Sequence, residues 1–167
     1  MSDGARSAAT LLGLCALLVV ATLWGWSAAT APFPQEEEVP ICVVTEVAAG
    51  EEVFTDNVVV DVYNGSKRQR LASSKHDQLV ERGFIPGASG NAPEPSKATV
   101  IIASDPDSPA AKLVQRQFRG ARVVEGNELG EGVTVVVGEG FTSLRPKVTR
   151  KVAAAAASSY CKATGSA

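Results

Sequence analysis

The segment Val58–Ser66, with the sequence VVVDVYNGS, decides the fold. Its β-branched residues predict a buried strand over 57–63, and the Asn64-Gly65 pair predicts the turn that ends it. Ser66 then predicts the N-terminal cap of a helix over 67–82. This strand–turn–helix order is typical of a protein in which helices cover one face of a sheet.

The helix and the residues after it complete the first half of the predicted domain. The apolar side chains of this helix lie near one face, at Leu71, Ala72, Leu79 and Val80. Gly83 predicts a left-handed helix end, and Phe84 begins a second short strand. The turn residues of 86–95 predict a loop.

The second half repeats the alternation of strand and helix. A continuous apolar run predicts a strand over 98–103, and Ser108 followed by Pro109 predicts a capped helix that Gly120 ends. Strands are predicted over 121–125 and 133–137. The fold class is therefore α/β (α+β): a two-layer sandwich with a mixed sheet of about five strands and two helices on one face.

A further helix is predicted over 144–161. Pro146 fits its first turn, and Ala153–Ala157 is a run of the residue with the highest helix propensity. Its basic residues, Lys147, Arg150 and Lys151, leave two interpretations open. The helix touches an anionic lipid or polymer, or it packs its alanines on the domain and exposes its charges to water.

No charged residue occurs between Ala8 and Ala31. As a helix this stretch spans about 36 Å, enough to cross a hydrocarbon core. Trp24 and Trp26 lie near its end, and Arg6 precedes it, which predicts a single-pass cell-membrane protein whose remainder is extracytoplasmic. A signal peptide cleaved after Ala31 is the alternative, and it also leaves 32–167 outside the cell.

These patterns divide the chain into five segments. They are a cytoplasmic tail (1–7), a transmembrane helix (8–31), a linker with a short N-terminal strand (32–53), the α/β domain (54–141), and a C-terminal helix with its tail (142–167). Two cysteines, Cys42 and Cys161, lie outside the membrane segment, and an oxidising compartment favours a disulfide between them. The loop it closes is long, so the bond is expected to stabilise the fold by roughly 4 kcal/mol.

The composition argues against several functions. With 16 basic and 18 acidic residues the formal net charge is −2, so no nucleic-acid partner is expected. The single histidine, His76, is predicted to be exposed, and Asp105 and Asp107 lie in a proline-flanked turn where aspartate usually bonds to the backbone. No catalytic set, metal set, phosphate-binding loop or cofactor motif is recognisable. The chain is therefore predicted not to be an enzyme, with an unrecognised envelope hydrolase as the alternative.

The order of these motifs resembles the LytR C-terminal domain family of bacterial, especially actinobacterial, envelope proteins. The resemblance rests on the segment VVVDVYNGS, on Leu71-Ala72, Leu79 and Gly83-Phe84, and on the final VTVVVG of 133–138. It covers about residues 56–138. The chain departs from the pattern at Lys67, where many members carry a second glycine.

This resemblance implies a non-catalytic, membrane-anchored module that supports cell-envelope integrity without a cofactor. Its expected partners are peptidoglycan, a wall glycopolymer or an envelope-assembly enzyme of the LytR-CpsA-Psr type. The candidate binding surface comprises Asn64, Gly65, Ser66, Lys67, Arg68 and Arg70, where helix N-terminal amides and basic side chains attract anions. The alternative is that the Asn-Gly-Ser sequence only forms the turn and caps the helix.

Overall fold

The computed structural model describes residues 3–29, 42–126 and 129–164, and the side chains of 11–26, 42–126 and 129–164. The chain forms two compact units, Met1–Val39 and Pro40–Ala167. The first contains helix α1 (Asp3–Ala29). Within the described residues, no helix combines the length and hydropathy that a membrane crossing requires. Residues 32–41 of the predicted linker lie outside the described residues.

The second unit begins with two short strands, β1 (Cys42–Val47) and β2 (Glu52–Phe54). It then forms a five-stranded mixed sheet, as predicted, from β3 (Val59–Asn64), β4 (Ile85–Asn91), β5 (Val100–Ala103), β6 (Arg122–Glu125) and β7 (Val133–Val137). The strand order is β4-β3-β7-β5-β6, and only the β5–β7 pair of this sheet is antiparallel. A short 3-10 turn (Thr55–Asn57) precedes β3.

Two helices, α2 (Leu71–Glu81) and α3 (Pro109–Gln115), pack on the same face of the sheet. Leu79 of α2 and Leu113 of α3 join a single apolar cluster with Val60, Val62 and Val135, and all five are fully buried. Burying each such side chain contributes about 1.5–3 kcal/mol. The predicted two-layer arrangement is confirmed.

Local signals for helix ends are confirmed in three places and wrong in one. Gly83 and Gly120 have left-handed backbone at φ 94° and 70°, and the Ser108 hydroxyl accepts the Ala111 N–H at 3.3 Å. However, α2 begins at Leu71 instead of Lys67, and Ser66 does not cap it. Its N-terminal neighbour, Arg70, is left-handed at φ 58° and makes no side-chain cap.

The loop predicted over 86–95 is largely a strand. β4 continues from Ile85 to Asn91 along β3, with a register shift between Val60 and Val62. Because β4 lies at the edge of the sheet, it tolerates Pro86, which has no N–H to donate. Glycines such as Gly87 and Gly90 are common in strands that contain a register shift of this kind. The turn residues therefore mark a bulged edge strand.

The predicted C-terminal helix is wrong. The segment instead forms β8 (Lys151–Ala153) and β9 (Ser158–Ala163). They pair antiparallel with β2 (Glu52–Phe54) and β1 (Cys42–Val47), respectively. Pairing buries Val152, Ala154 and Ala163, and this tertiary gain exceeds the helix propensity of the alanine run. The short N-terminal strand predicted within 32–53 is confirmed as β1.

The predicted disulfide is confirmed between Cys42 and Cys161, with their Cα atoms 5.3 Å apart. Cys42 is the first residue of β1, and Cys161 lies in β9 instead of in a helix. The disulfide therefore links the two strands of the antiparallel ribbon formed by β1 and β9. Cys42 and Ala163 of this ribbon pack on Val59 of β3, which links the ribbon to the sheet.

Candidate functional site

The candidate surface at 64–70 connects the C-terminal end of β3 to the start of α2. Asn64 closes this turn with its side chain. Its Oδ1 accepts the Ser66 N–H at 3.0 Å and the Ser66 hydroxyl at 2.9 Å, and its Nδ2 donates to the Arg68 carbonyl at 2.7 Å. The side chain of Asn64 therefore bonds within the turn and holds its shape.

The backbone amides of this turn already have acceptors. Gly65 N–H donates to the Val137 carbonyl at 3.0 Å, and Lys67 N–H donates to Glu139 Oε1 at 2.8 Å. Arg68 N–H donates to the Ser66 hydroxyl at 3.2 Å. Because α2 begins only at Leu71, these amides are not the helix N-terminal donors that the sequence suggested.

Gly65 has a packing role. It is buried, and a Cβ at this position would lie 2.8 Å from Val136 Cγ1 and 3.1 Å from Ser96 Cβ. The Ser96 N–H also donates to the Gly65 carbonyl at 2.7 Å. Glycine therefore lets the neighbouring loop approach the end of the sheet.

The basic side chains of the turn point outward. Lys67, Arg68 and Arg70 are exposed, and among the described residues none of them forms an ion pair; the ion pairs there are Lys112–Asp107 and Lys151–Glu52. Arg68 donates through Nη1 to the Phe141 carbonyl at 2.9 Å. The turn thus presents positive charge from a rigid backbone.

Two further cations, Lys75 and Arg82, lie close to Arg68 in the structure. The sequence analysis did not predict this proximity. The Lys75 ammonium lies 5.5 Å from the centre of the Phe141 ring. Burial lowers the pKa of Lys75, and the nearby positive charges of Arg68 and Arg82 lower it further. Lys75 therefore sits among like charges.

The candidate catalytic residues do not come together. Asp105 Oδ1 accepts the Asp107 N–H at 2.9 Å, and Asp107 pairs with Lys112 at 2.9 Å. Both aspartates line a groove of about 710 Å³ beside Ala155–Ala157, and His76 is not among its lining residues. His76 is half-buried on α2, not exposed as predicted, and its Nε2 has no hydrogen-bond partner.

The sequence analysis also missed a buried carboxylate. Asp61 in β3 is 1% exposed, and it accepts the N–H groups of Ala88 and Gly132. Burial raises its pKa from the ordinary value of 3.8, and the two N–H bonds oppose that rise. The available signal was an aspartate inside an otherwise apolar strand. Its bonds attach β4 and the loop before β7 to β3.

Comparisons with known proteins identify a family. The family model described as "LytR cell envelope-related transcriptional attenuator" matches residues 57–141. The solved soluble domain of a conserved hypothetical secreted protein from Mycobacterium marinum is similar, with 21% identity and a TM-score of 0.49. That similarity covers 59% of this chain and 78% of the other. No curated protein matches the chain.

Proposed function

The chain belongs to the LytR C-terminal domain family, and from this we propose that it is a non-catalytic, extracytoplasmic module of the cell envelope. It supports envelope integrity by binding peptidoglycan or a wall glycopolymer, and an envelope-assembly enzyme is the alternative partner. The family's relation to the cell envelope supports this class of partner.

Two features support a location outside the cytoplasm. Disulfides such as Cys42–Cys161 persist in oxidising compartments. The uncharged stretch 8–31 is the proposed membrane anchor, and its large apolar side chains are exposed along α1, with Leu17 at 68% and Trp24 at 82%.

One observation carries the proposed binding surface: Lys67, Arg68 and Arg70 project from a turn whose own polar groups are satisfied. Asn64 and Ser66 bond to each other and to the backbone, so the turn keeps its shape without a ligand. The three cations have no carboxylate partner among the described residues. These three positive charges outnumber the single carboxylate bonded to the turn in the described structure, that of Glu139, and they attract anionic groups of the wall.

Sedimentation with purified cell walls tests this surface. The full chain in a mild non-ionic detergent should co-sediment with the walls, and the triple variant Lys67→Ala, Arg68→Ala, Arg70→Ala should stay in solution. The matched control removes three charges elsewhere, at Arg116, Arg122 and Lys162, which make no side-chain hydrogen bond or ion pair in the described structure. Equal sedimentation of both triple variants would show that the turn is not the binding surface.

The proposed topology is tested separately in intact cells. After reduction, a thiol reagent that does not cross membranes should label Cys42 and Cys161. A Cys15→Ser background removes the remaining cysteine as a source of signal. Labelling only after cell lysis would place the domain inside the cell and contradict the proposal.

A further inference from the structure

We propose that Arg68, Lys75, Arg82 and Arg145 form one binding surface, the basic strip, for the repeated phosphodiester groups of an anionic wall polymer. This inference rests on the proposed function for the location of the module, and it specifies the chemistry of the ligand. The strip extends the turn surface along α2 and over the segment 141–145.

Contacts between named atoms make the strip continuous. Lys75 lies in α2, and Arg82 is the residue that follows the helix. Because seven residues make about two helical turns, the two side chains lie on the same side of α2, about 10 Å apart along the helix axis. Arg68 and Lys75 meet at Phe141, one at its carbonyl and the other at its ring. Arg82 Nη2 donates to the Arg145 carbonyl at 2.9 Å.

The guanidinium groups of the strip are held in place. Arg82 Nη1 donates to Gln117 Oε1 at 3.0 Å, and Arg145 Nε donates to the Phe118 carbonyl at 2.8 Å. Each arginine has five N–H donors, and these bonds occupy only one or two of them. The others remain available on side chains that have already lost much of their conformational freedom, which lowers the entropic cost of binding.

None of the four cations of the strip forms an ion pair with a carboxylate within the described structure. The acidic residues of α2, Asp77 and Glu81, line a neighbouring groove together with Arg70. An anion on the strip would relieve the repulsion that Arg68 and Arg82 impose on Lys75.

The shape and composition of the strip favour a polymer over a membrane surface. Arginine forks bind phosphate oxygens in pairs, and cations spaced along a helix match a ligand with repeated charges. In the segment 141–145, which borders the strip, no apolar side chain is exposed to a lipid layer. Phe141 and Leu144 are buried, and the exposed residues between them are Thr142 and Ser143.

Fluorescence anisotropy with labelled poly(glycerol phosphate) tests the proposal on the full chain in non-ionic detergent. We expect binding that weakens as salt increases. Lys75→Gln removes one charge without removing a bond to the backbone, and it should weaken binding about three- to tenfold. It should also reduce the slope of log K against log salt by about one unit.

The matched control is Arg122→Gln, on strand β6 at the opposite edge of the sheet from β4. It removes the same charge and should bind as the wild type does. Arg68→Lys keeps the charge but loses the fork, and it should bind more weakly than the wild type. Thermal unfolding of each variant checks that the fold is retained.

Several outcomes would overturn the strip. Equal binding by Lys75→Gln and Arg122→Gln would show that net charge alone attracts the polymer. Equal affinity for polygalacturonate would exclude selectivity for phosphodiesters. Tighter binding to a short-chain, water-soluble phosphatidylglycerol would identify a lipid ligand instead. If cell walls retain Lys75→Gln as well as they retain the wild type, the strip is not the binding surface, and the proposed function is unaffected. If the chain binds poly(glycerol phosphate) as expected but cell walls do not retain it, the proposed function is refuted, and the assignment of the strip is unaffected.

Discussion

The Asp61 carboxylate accepts the backbone N–H of Gly132 at 2.9 Å, although the two residues are 71 positions apart in the chain. The other carboxylate oxygen accepts the N–H of Ala88. One side chain thus attaches the edge strand β4 and the loop before β7 to β3. Gly130 leaves room for this carboxylate, since a Cβ on Gly130 would lie 2.5 Å from Asp61 Cγ.

The pH dependence of stability should report on Asp61. Burial raises its folded pKa above the ordinary 3.8, so the folded state binds this proton more tightly than the unfolded state does. The stabilisation from this group is present below the unfolded pKa and is lost as pH rises through the folded pKa. In Asp61→Asn this titration is absent. The stability advantage of the wild type over the variant, measured by urea unfolding, should therefore shrink as the pH rises above the ordinary carboxyl pKa of 3.8. If the difference in unfolding free energy between the wild type and Asp61→Asn did not change with pH, Asp61 would not be the source of the pH dependence.

Replacing two different glycines of β4 by alanine should have different effects on stability. At Gly87 a Cβ would collide with Asp61 Oδ1 and approach Val59 Cγ1 to 3.0 Å. Since Asp61 is held by backbone bonds, Gly87→Ala should lower the free energy of unfolding by about 2–3 kcal/mol. At Gly90 the nearest atom would be Tyr63 Cε1 at 3.4 Å, an ordinary contact. Gly90→Ala is the matched control and should change stability by less than about 1 kcal/mol. Similar losses in both variants would refute the role of the Asp61 contact.

The disulfide should make a large contribution to stability. It joins residues separated by 119 positions, and constraining a loop of this length stabilises the fold by about 4–5 kcal/mol in the chain-entropy model. The double variant Cys42→Ser, Cys161→Ser should lose that amount in denaturant unfolding. Cys15→Ser, which removes the exposed thiol of α1, should leave stability unchanged. A reducing agent should reproduce the loss in the wild type and have no effect on the double variant.

Gln117 should be essential for holding the segment after residue 141 in its observed conformation. It is fully buried, accepts from Arg82, and donates through Nε2 to the Leu113 and Thr149 carbonyls at 3.2 and 2.7 Å. Gln117→Leu leaves these groups unpaired and should cost about 2–3 kcal/mol. Gln115→Leu, which loses one bond to the Ala121 carbonyl, should cost about 1 kcal/mol. Faster proteolysis within 144–150 in the first variant alone would localise the effect.

Features encoded within a few residues could be predicted. The strand at 133–137 matches β7 to the residue, because five consecutive apolar or β-branched residues between glycine-containing turns favour a buried strand. Ser108 caps α3 because serine next to proline favours a helix start. The candidate turn at 64–70 was also visible, since Asn-Gly is a local signal.

The basic strip could not be predicted because its members come from distant segments. Arg68 and Lys75 are near neighbours in the chain, but Arg145 lies in a segment whose composition predicted a helix. Its approach to Arg82 depends on Gln117 and Phe118, which hold the segment as an irregular chain. A contact of this kind leaves no pattern in either segment alone.

The order of strands and helices from β3 to β7, the left-handed glycines and the cysteine pair follow from the sequence by itself, because each depends on periodicity, backbone freedom or compartment chemistry. Tertiary structure alone decided the conformation of 144–163 and the placement of Asp61. Helix propensity favours an alanine run by only a few tenths of a kcal/mol per residue. Pairing with β1 and β2, the burial of Val152 and Ala163, and the disulfide together outweigh that preference.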